Sequence, residues 1–205
     1  MHKKVNKSGQ TLGKKGRDTR KRLLSAATAL MMRGVRPTPP DVATEAAVST
    51  PTFYLYFKNI AELQLALCDV ARADMEEIFT ILDSDWHDDM EGHSHDLMLA
   101  FYTHWERHRI TLAVRNHESD MGDRRFIDAR RCAAMPVIQS LSDRIQQANG
   151  HRLSERDTLA RSVIIYTAME RLAARGPTLE PEDLTDEELL RAEAHIVALL
   201  LRDGE

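Results

Sequence analysis

Two helix-start signals stand close together in this chain, Pro39 behind Thr38 and Pro51 behind Thr50, and they limit what this stretch can become. Proline lacks an amide hydrogen and fixes φ, so a first helical turn accepts it and a helix interior does not. Thr38 can cap a helix with its hydroxyl while Pro39 takes the first helical position. That helix carries Val42, Ala43 and Ala46 and must be short, because residues 47–50 turn before Pro51 opens a second short helix with Phe53, Tyr54, Tyr56 and Phe57. Upstream, Leu23, Ala27 and Leu30, with Leu24 and Met31 beside them, recur at helical spacing from Arg17 onward. Gly34 is placed to end this longer helix as a left-handed cap residue. A long helix followed by two short ones across a four-residue turn has the form of a helix-turn-helix.

Charge separates this head from the rest. Residues 1–58 hold 12 Lys and Arg against Asp18, Asp41 and Glu45, a net +9, whereas the remainder holds 16 basic and 29 acidic side chains, a net −13. No lysine follows Lys58. A basic head on an acidic body predicts two functional parts and a polyanionic partner for the first. Residues 1–16, rich in Lys and Gly without apolar period, read as a mobile basic arm.

Downstream the pattern stays helical. Asn59 and Glu62 have capping-box form and open a long helix with Leu63, Leu67, Val70, Met75 and Ile78. The acidic, His-rich stretch 83–95 reads as a loop. Helices are expected over 95–118 and 121–148, the second kinked or split near Met135 by Pro136. Asn149-Gly150 is a stop, Ser154 starts a helix that Gly176-Pro177 ends, and Thr185 with Glu188 caps a last helix. The fold class is therefore all-α: a three-helix head over 17–58 and a larger helical domain over 59–205. Cys68 and Cys132 read as reduced core thiols. No run of about 18 apolar residues and no signal peptide are seen, which predicts a cytoplasmic protein off the membrane.

Within the second short helix, Phe53 and Phe57 at i and i+4 can hold the helix to the core, and both tyrosines cannot share that inner face. Thr50, Thr52, Tyr54 and Tyr56 are then left for the major groove. The stretch Asp41-Val42-Ala43, Ala47-Val48-Ser49-Thr50-Pro51-Thr52-Phe53-Tyr54 and Tyr56-Phe57-Lys58-Asn59 resembles the tetracycline-repressor (TetR) family, with the likeness running from about Arg17 to Leu67. That resemblance implies a bacterial, nucleoid-associated regulator that binds double-stranded operator DNA. It implies that Thr52, Tyr54 and Tyr56 touch bases or phosphates, that Thr38 and Thr50 hold the DNA backbone, and that Arg17, Pro51 and Lys58 join them. Two departures stand out: Ile60 occupies a position usually held by a phosphate-binding Lys, and Ala47 one usually held by Gly. The second means either a turn without positive φ or a strained alanine.

The resemblance further implies a homodimer formed by the last two helices, a small-molecule effector of unknown identity, and repression. Wide apolar stripes on residues 154–175 and on the final helix agree with a four-helix interface. Met98, Phe101, Trp105, Met135, Tyr166 and Met169 combine apolar bulk with polar tips and are the candidate effector pocket; plain core packing is the other reading of the same residues. A DNA-binding or architectural protein without an effector is the alternative function. The histidines of residues 87–117, including His104 and His108 at i and i+4, are read as solvated side chains, so no metal site is expected and a metal-responsive regulator is the lesser alternative. No cofactor and no catalytic residue are expected, since no nucleophile motif or phosphate loop occurs.

Overall fold

The computed structural model describes residues 13–175 and 184–201. Among these the chain is helical throughout, without a strand: α1 (Lys14–Met32), α2 (Pro39–Glu45), α3 (Thr50–Tyr56), α4 (Ile60–Ala73), α5 (Glu76–Asp83), α6 (Met90–Asp120), α7 (Arg124–Ala148), α8 (Glu155–Ala174) and α9 (Asp186–Leu201). None of the described helices is long and apolar enough to cross a membrane. Two compact units emerge. The first runs to Val70 and takes in Ile110–Ala129; the second comprises Ala71–Arg109 and the residues from Arg130 onward.

Local capping chemistry sets most boundaries. Gly34 adopts φ 73° and donates to the Met31 carbonyl (2.9 Å) while Val35 donates to Leu30 (3.0 Å), a Schellman closure of α1. Thr38 and Asp41 form the capping box of α2. Asn59 Oδ1 accepts from the Glu62 amide at 2.9 Å, but the Glu62 carboxylate accepts from Lys58 N rather than from the Asn59 amide. Ser154 caps α8, and Thr185 with Glu188 forms the box that opens α9.

Several boundaries differ from the sequence reading. Helix α1 begins at Lys14, so residues 14–16 are helical and not part of an arm; residues 1–12 lie outside the described residues, as does the expected Gly176-Pro177 stop. The helix expected to run from Ile60 past Ile78 breaks at Asp74-Met75 into α4 and α5. The expected loop 83–95 shrinks to residues 84–89, because Asp89 Oδ1 accepts from the Gly92 amide (2.8 Å) and starts α6 early. Trp86 anchors that short connection: it is buried and donates from Nε1 to the Ile81 carbonyl at 2.8 Å. Helix α7 runs through Pro136 without splitting. Pro136 and Cys132 both face outward, so the Cys132 carbonyl that loses its helical donor can be served by water. Exposed Cys132 is not a core thiol; Cys68 is, and burial pushes its pKa up to about 11.

Among the described residues of the second unit two carboxylates are buried. Glu170 is paired with the Arg130 guanidinium. Glu193 is buried with Oε1 unbonded, and burial pushes its pKa up to about 7 against the pull of Arg175. A carboxyl with a raised folded-state pKa weakens the fold as pH climbs from its ordinary 4.5 through 7, because only then must a buried charge form. Glu193→Gln should therefore leave thermal stability nearly unchanged near pH 4.5 and raise it by up to about 3 kcal/mol at pH 8. Equal melting shifts at both pH values would contradict this.

Candidate nucleic-acid interface

The head is built so that α3 is held from one side only. Leu23, Leu24, Ala27, Leu30 and Met31 of α1 meet Val42 and Ala43 of α2, Ala46 at its C-terminal cap, and Phe53 and Phe57, all buried, in one cluster. Small Ala43 and Ala46 let the short helices approach closely. Phe53 is 0% exposed and its ring lies 5.8 Å from that of Phe57. The Arg20 guanidinium stacks over the other aromatic, 5.3 Å from the Phe57 centroid.

The turn between α2 and α3 is strained and clamped. Ala47 adopts φ 51°, the left-handed region, so the second of the two expectations for this position holds. Val48 donates to Ala43 (2.9 Å) and Ala47 to Thr44 (3.0 Å), again a Schellman closure, here without glycine. An alanine there costs about 1–3 kcal/mol of local strain. Arg22 offsets it by reaching both the Ala46 and Ala47 carbonyls, and Arg33 ties the end of α1 to Glu45 at 2.7 Å. That ion pair holds the Glu45 carboxyl below the usual carboxylate range. Neither contact was foreseen, because the partners are more than ten residues apart in each case.

Helix α3 starts on Ser49, whose Oγ accepts from the Thr52 amide at 3.3 Å and lies 2.8 Å from the Thr52 hydroxyl. Its seven residues carry no charge. Tyr54 and Leu55 are exposed, at 45% and 64%, Pro51 is exposed, and Thr50 and Thr52 are half-buried. Tyr56 is half-buried and packs against the head core, so it offers less to a partner than Tyr54 does. Leu55 carried no functional reading from sequence, yet it shares the outer flank. Arg17, Lys58 and Thr38 are exposed, the last with its hydroxyl committed to Asp41. Ile60 is half-buried on the head core, not projecting as a phosphate-binding side chain would.

The six residues singled out in the second unit do not fare alike. Met98, Phe101, Trp105, Tyr166 and Met169 are all buried, and Phe101 and Tyr166 meet edge to face at 5.8 Å. Met135 is instead 41% exposed on α7, because the helix turns it outward beside Pro136 while Ala134 and Val137 face in. The histidines are scattered: His87 is exposed beside Asp88, His93 stacks on Trp86, and only His104 and His108 adjoin. Burial, with His108 adding to it, pushes the His104 pKa down to about 4.

Comparison with known proteins gives this geometry a context. Residues 23–67 match the model of the bacterial regulatory proteins of the tetR family. No curated protein matches the chain by sequence. Among solved structures, a SmeT–triclosan complex aligns with a TM-score of 0.64 at 19% identity over 89% of this chain and 90% of its own. The fatty acid degradation regulator FadR from Bacillus halodurans aligns at 0.63 and 15%, over 95% and 98%. A transcriptional regulator of the TetR/AcrR family from Thermobifida fusca YX-ER1 aligns at 0.56 and 15%, over 88% and 97%. The head is thus matched in sequence, over residues 23–67, to the bacterial regulatory proteins of the tetR family, and the all-α fold is shared along most of the chain with these solved structures.

Proposed function

We propose that this chain is a DNA-binding transcriptional regulator of the tetR type, a dimeric, cytoplasmic repressor that leaves its operator when a small, largely apolar effector binds its second unit. The observation that carries the reading is the outer flank of α3. Tyr54 stands exposed beside Pro51 and Thr52 on an uncharged helix fixed from behind by Phe53, within a head of net +9. A side chain held this way reaches base edges without repelling phosphates, and basic residues around it supply attraction. Residues 17–58 then bind DNA, and residues 59–205 sense and dimerise.

Exposed apolar side chains support the dimer. Leu159, Val163 and Ile164 on α8 and Ile196 and Leu199 on α9 are each 43–61% exposed. A helix-turn-helix reading two half-sites needs such a two-fold partner. The effector class rests on Met98, Phe101, Trp105, Tyr166 and Met169, and on the fact that one structural relative is a triclosan complex and another is named for fatty acid degradation. The second reading, a DNA-binding protein without an effector, is favoured by the close packing of Phe101 on Tyr166. Calorimetric titration of triclosan and of long-chain fatty acids, with and without an operator selected from random duplexes, separates the two. Release by 100-fold requires about 2.7 kcal/mol of coupling, and the coupling is reciprocal, so saturating operator should weaken the effector by the same factor. Equal effector affinity in both titrations, or none, would leave the second reading.

A further inference from the structure

We propose that Asp74, His104 and His108 form a binding site for one divalent transition-metal ion, with Zn²⁺ as the reference occupant. The three residues come together only in the folded chain. Asp74 occupies the two-residue break between α4 and α5, while His104 and His108 stand one turn apart on α6. Asp74 Oδ2 lies 2.8 Å from His108 Nε2, the two imidazole centroids are 5.0 Å apart, and one ligand atom from each residue lies within 4.8 Å of the others. Among the described residues no other set of three His, Cys, Asp or Glu side chains meets that condition.

His104 supplies the independent pointer. It is 6% exposed, and its Nδ1 is buried without a hydrogen-bond partner. An orphaned buried polar atom is costly, and an ion beside the ring would give Nδ1 the partner it lacks. Two imidazoles and a carboxylate are the donor set of borderline divalent ions, three protein ligands leaving a further position for water or another ligand. Bonds of about 2.0–2.1 Å place tetrahedral donors about 3.3 Å apart, so a small rotation of the side chains draws the trio inward. Access is also in place. Asp74, Glu76, Glu77 and Asp96 line an open groove of about 780 Å³ in which Arg107 is the only basic lining residue. Arg107 shares Asp74 Oδ2 at 2.8 Å, but it is exposed and can swing away, since exposed pairs of this kind hold only weakly. The sequence reading expected no metal, because the His-rich stretch has no cysteine nearby and no fixed ligand spacing; Asp74 lies outside that stretch.

The test uses the full chain stripped with chelator and titrated with Co²⁺, followed by visible absorption, and with Zn²⁺ by calorimetry. One ion per chain and intense d–d bands of a four-coordinate site are expected. Asp74→Asn and His108→Gln lie at or near the surface and preserve the fold; each should weaken both ions by at least about tenfold. His87→Gln, in the neighbouring acidic segment, should change nothing. No binding by the unaltered chain overturns the proposal, as does affinity that survives both Asp74→Asn and His108→Gln, which would leave these residues as an ordinary ion-pair cluster with Arg107.

Discussion

Phe53→Ala should destabilise the head by about 3–5 kcal/mol and remove operator binding, although Phe53 touches no DNA. The ring is fully buried among Leu23, Leu30, Val42 and Leu63, with Phe57 at its side, and truncating a buried phenylalanine forfeits transfer free energy and leaves a cavity. A helix of seven residues has too few internal hydrogen bonds to persist alone, so α3 depends on that anchor for its existence. The neighbouring substitution provides the contrast. Tyr54→Ala removes an exposed side chain, should leave the melting temperature nearly unchanged, and should weaken operator binding by about 1–3 kcal/mol. Thermal unfolding and operator titration of the two variants check this together. If F53A keeps a cooperative melt and full affinity, α3 is not held as described; if Y54A binds operator normally, the exposed flank is not the reading surface.

Operator affinity should also be steeply dependent on salt. Each neutralised phosphate releases condensed counterions, so six to eight contacts per dimer give a log–log slope of about −5 to −7. Raising salt from about 0.1 to 0.4 M would then cost roughly 10³–10⁴ in affinity, more than Tyr54→Ala does. Lys14, Lys15, Lys21, Arg36 and Lys58 are exposed charges in the head. Arg22 and Arg33 are spent on the α2–α3 turn and on Glu45, and Arg20 lies over Phe57, so they contribute less. Fluorescence anisotropy of labelled duplex across a salt series measures the slope. A flat response would remove phosphate neutralisation, and with it the role given to the basic head.

What could be read from sequence here was local in origin. The Schellman end at Gly34, the capping box at Thr38 and Asp41, the caps at Asn59 and Ser154 and the box at Thr185 are all bonds between residues a few positions apart. Their chemistry is present before the chain folds, and the apolar period at Leu23, Ala27 and Leu30 likewise names the inner face of α1 without reference to a partner. The helix-turn-helix, the inward Phe53 and Phe57 and the outward Tyr54 follow from such signals. Tertiary structure alone decided the rest. Whether Ala47 could hold φ 51° depended on Arg22 arriving from α1, and whether Tyr56 faced out depended on the core beside it. Met135 and Cys132 carry apolar or thiol side chains whose burial no periodicity in α7 settled, and both lie exposed. The meeting of Asp74 with His104 and His108 is of the same kind. Residues about thirty positions apart become neighbours only when α6 packs beside the α4–α5 break, and a sequence pattern records which face of a helix is apolar but not what will lie against it.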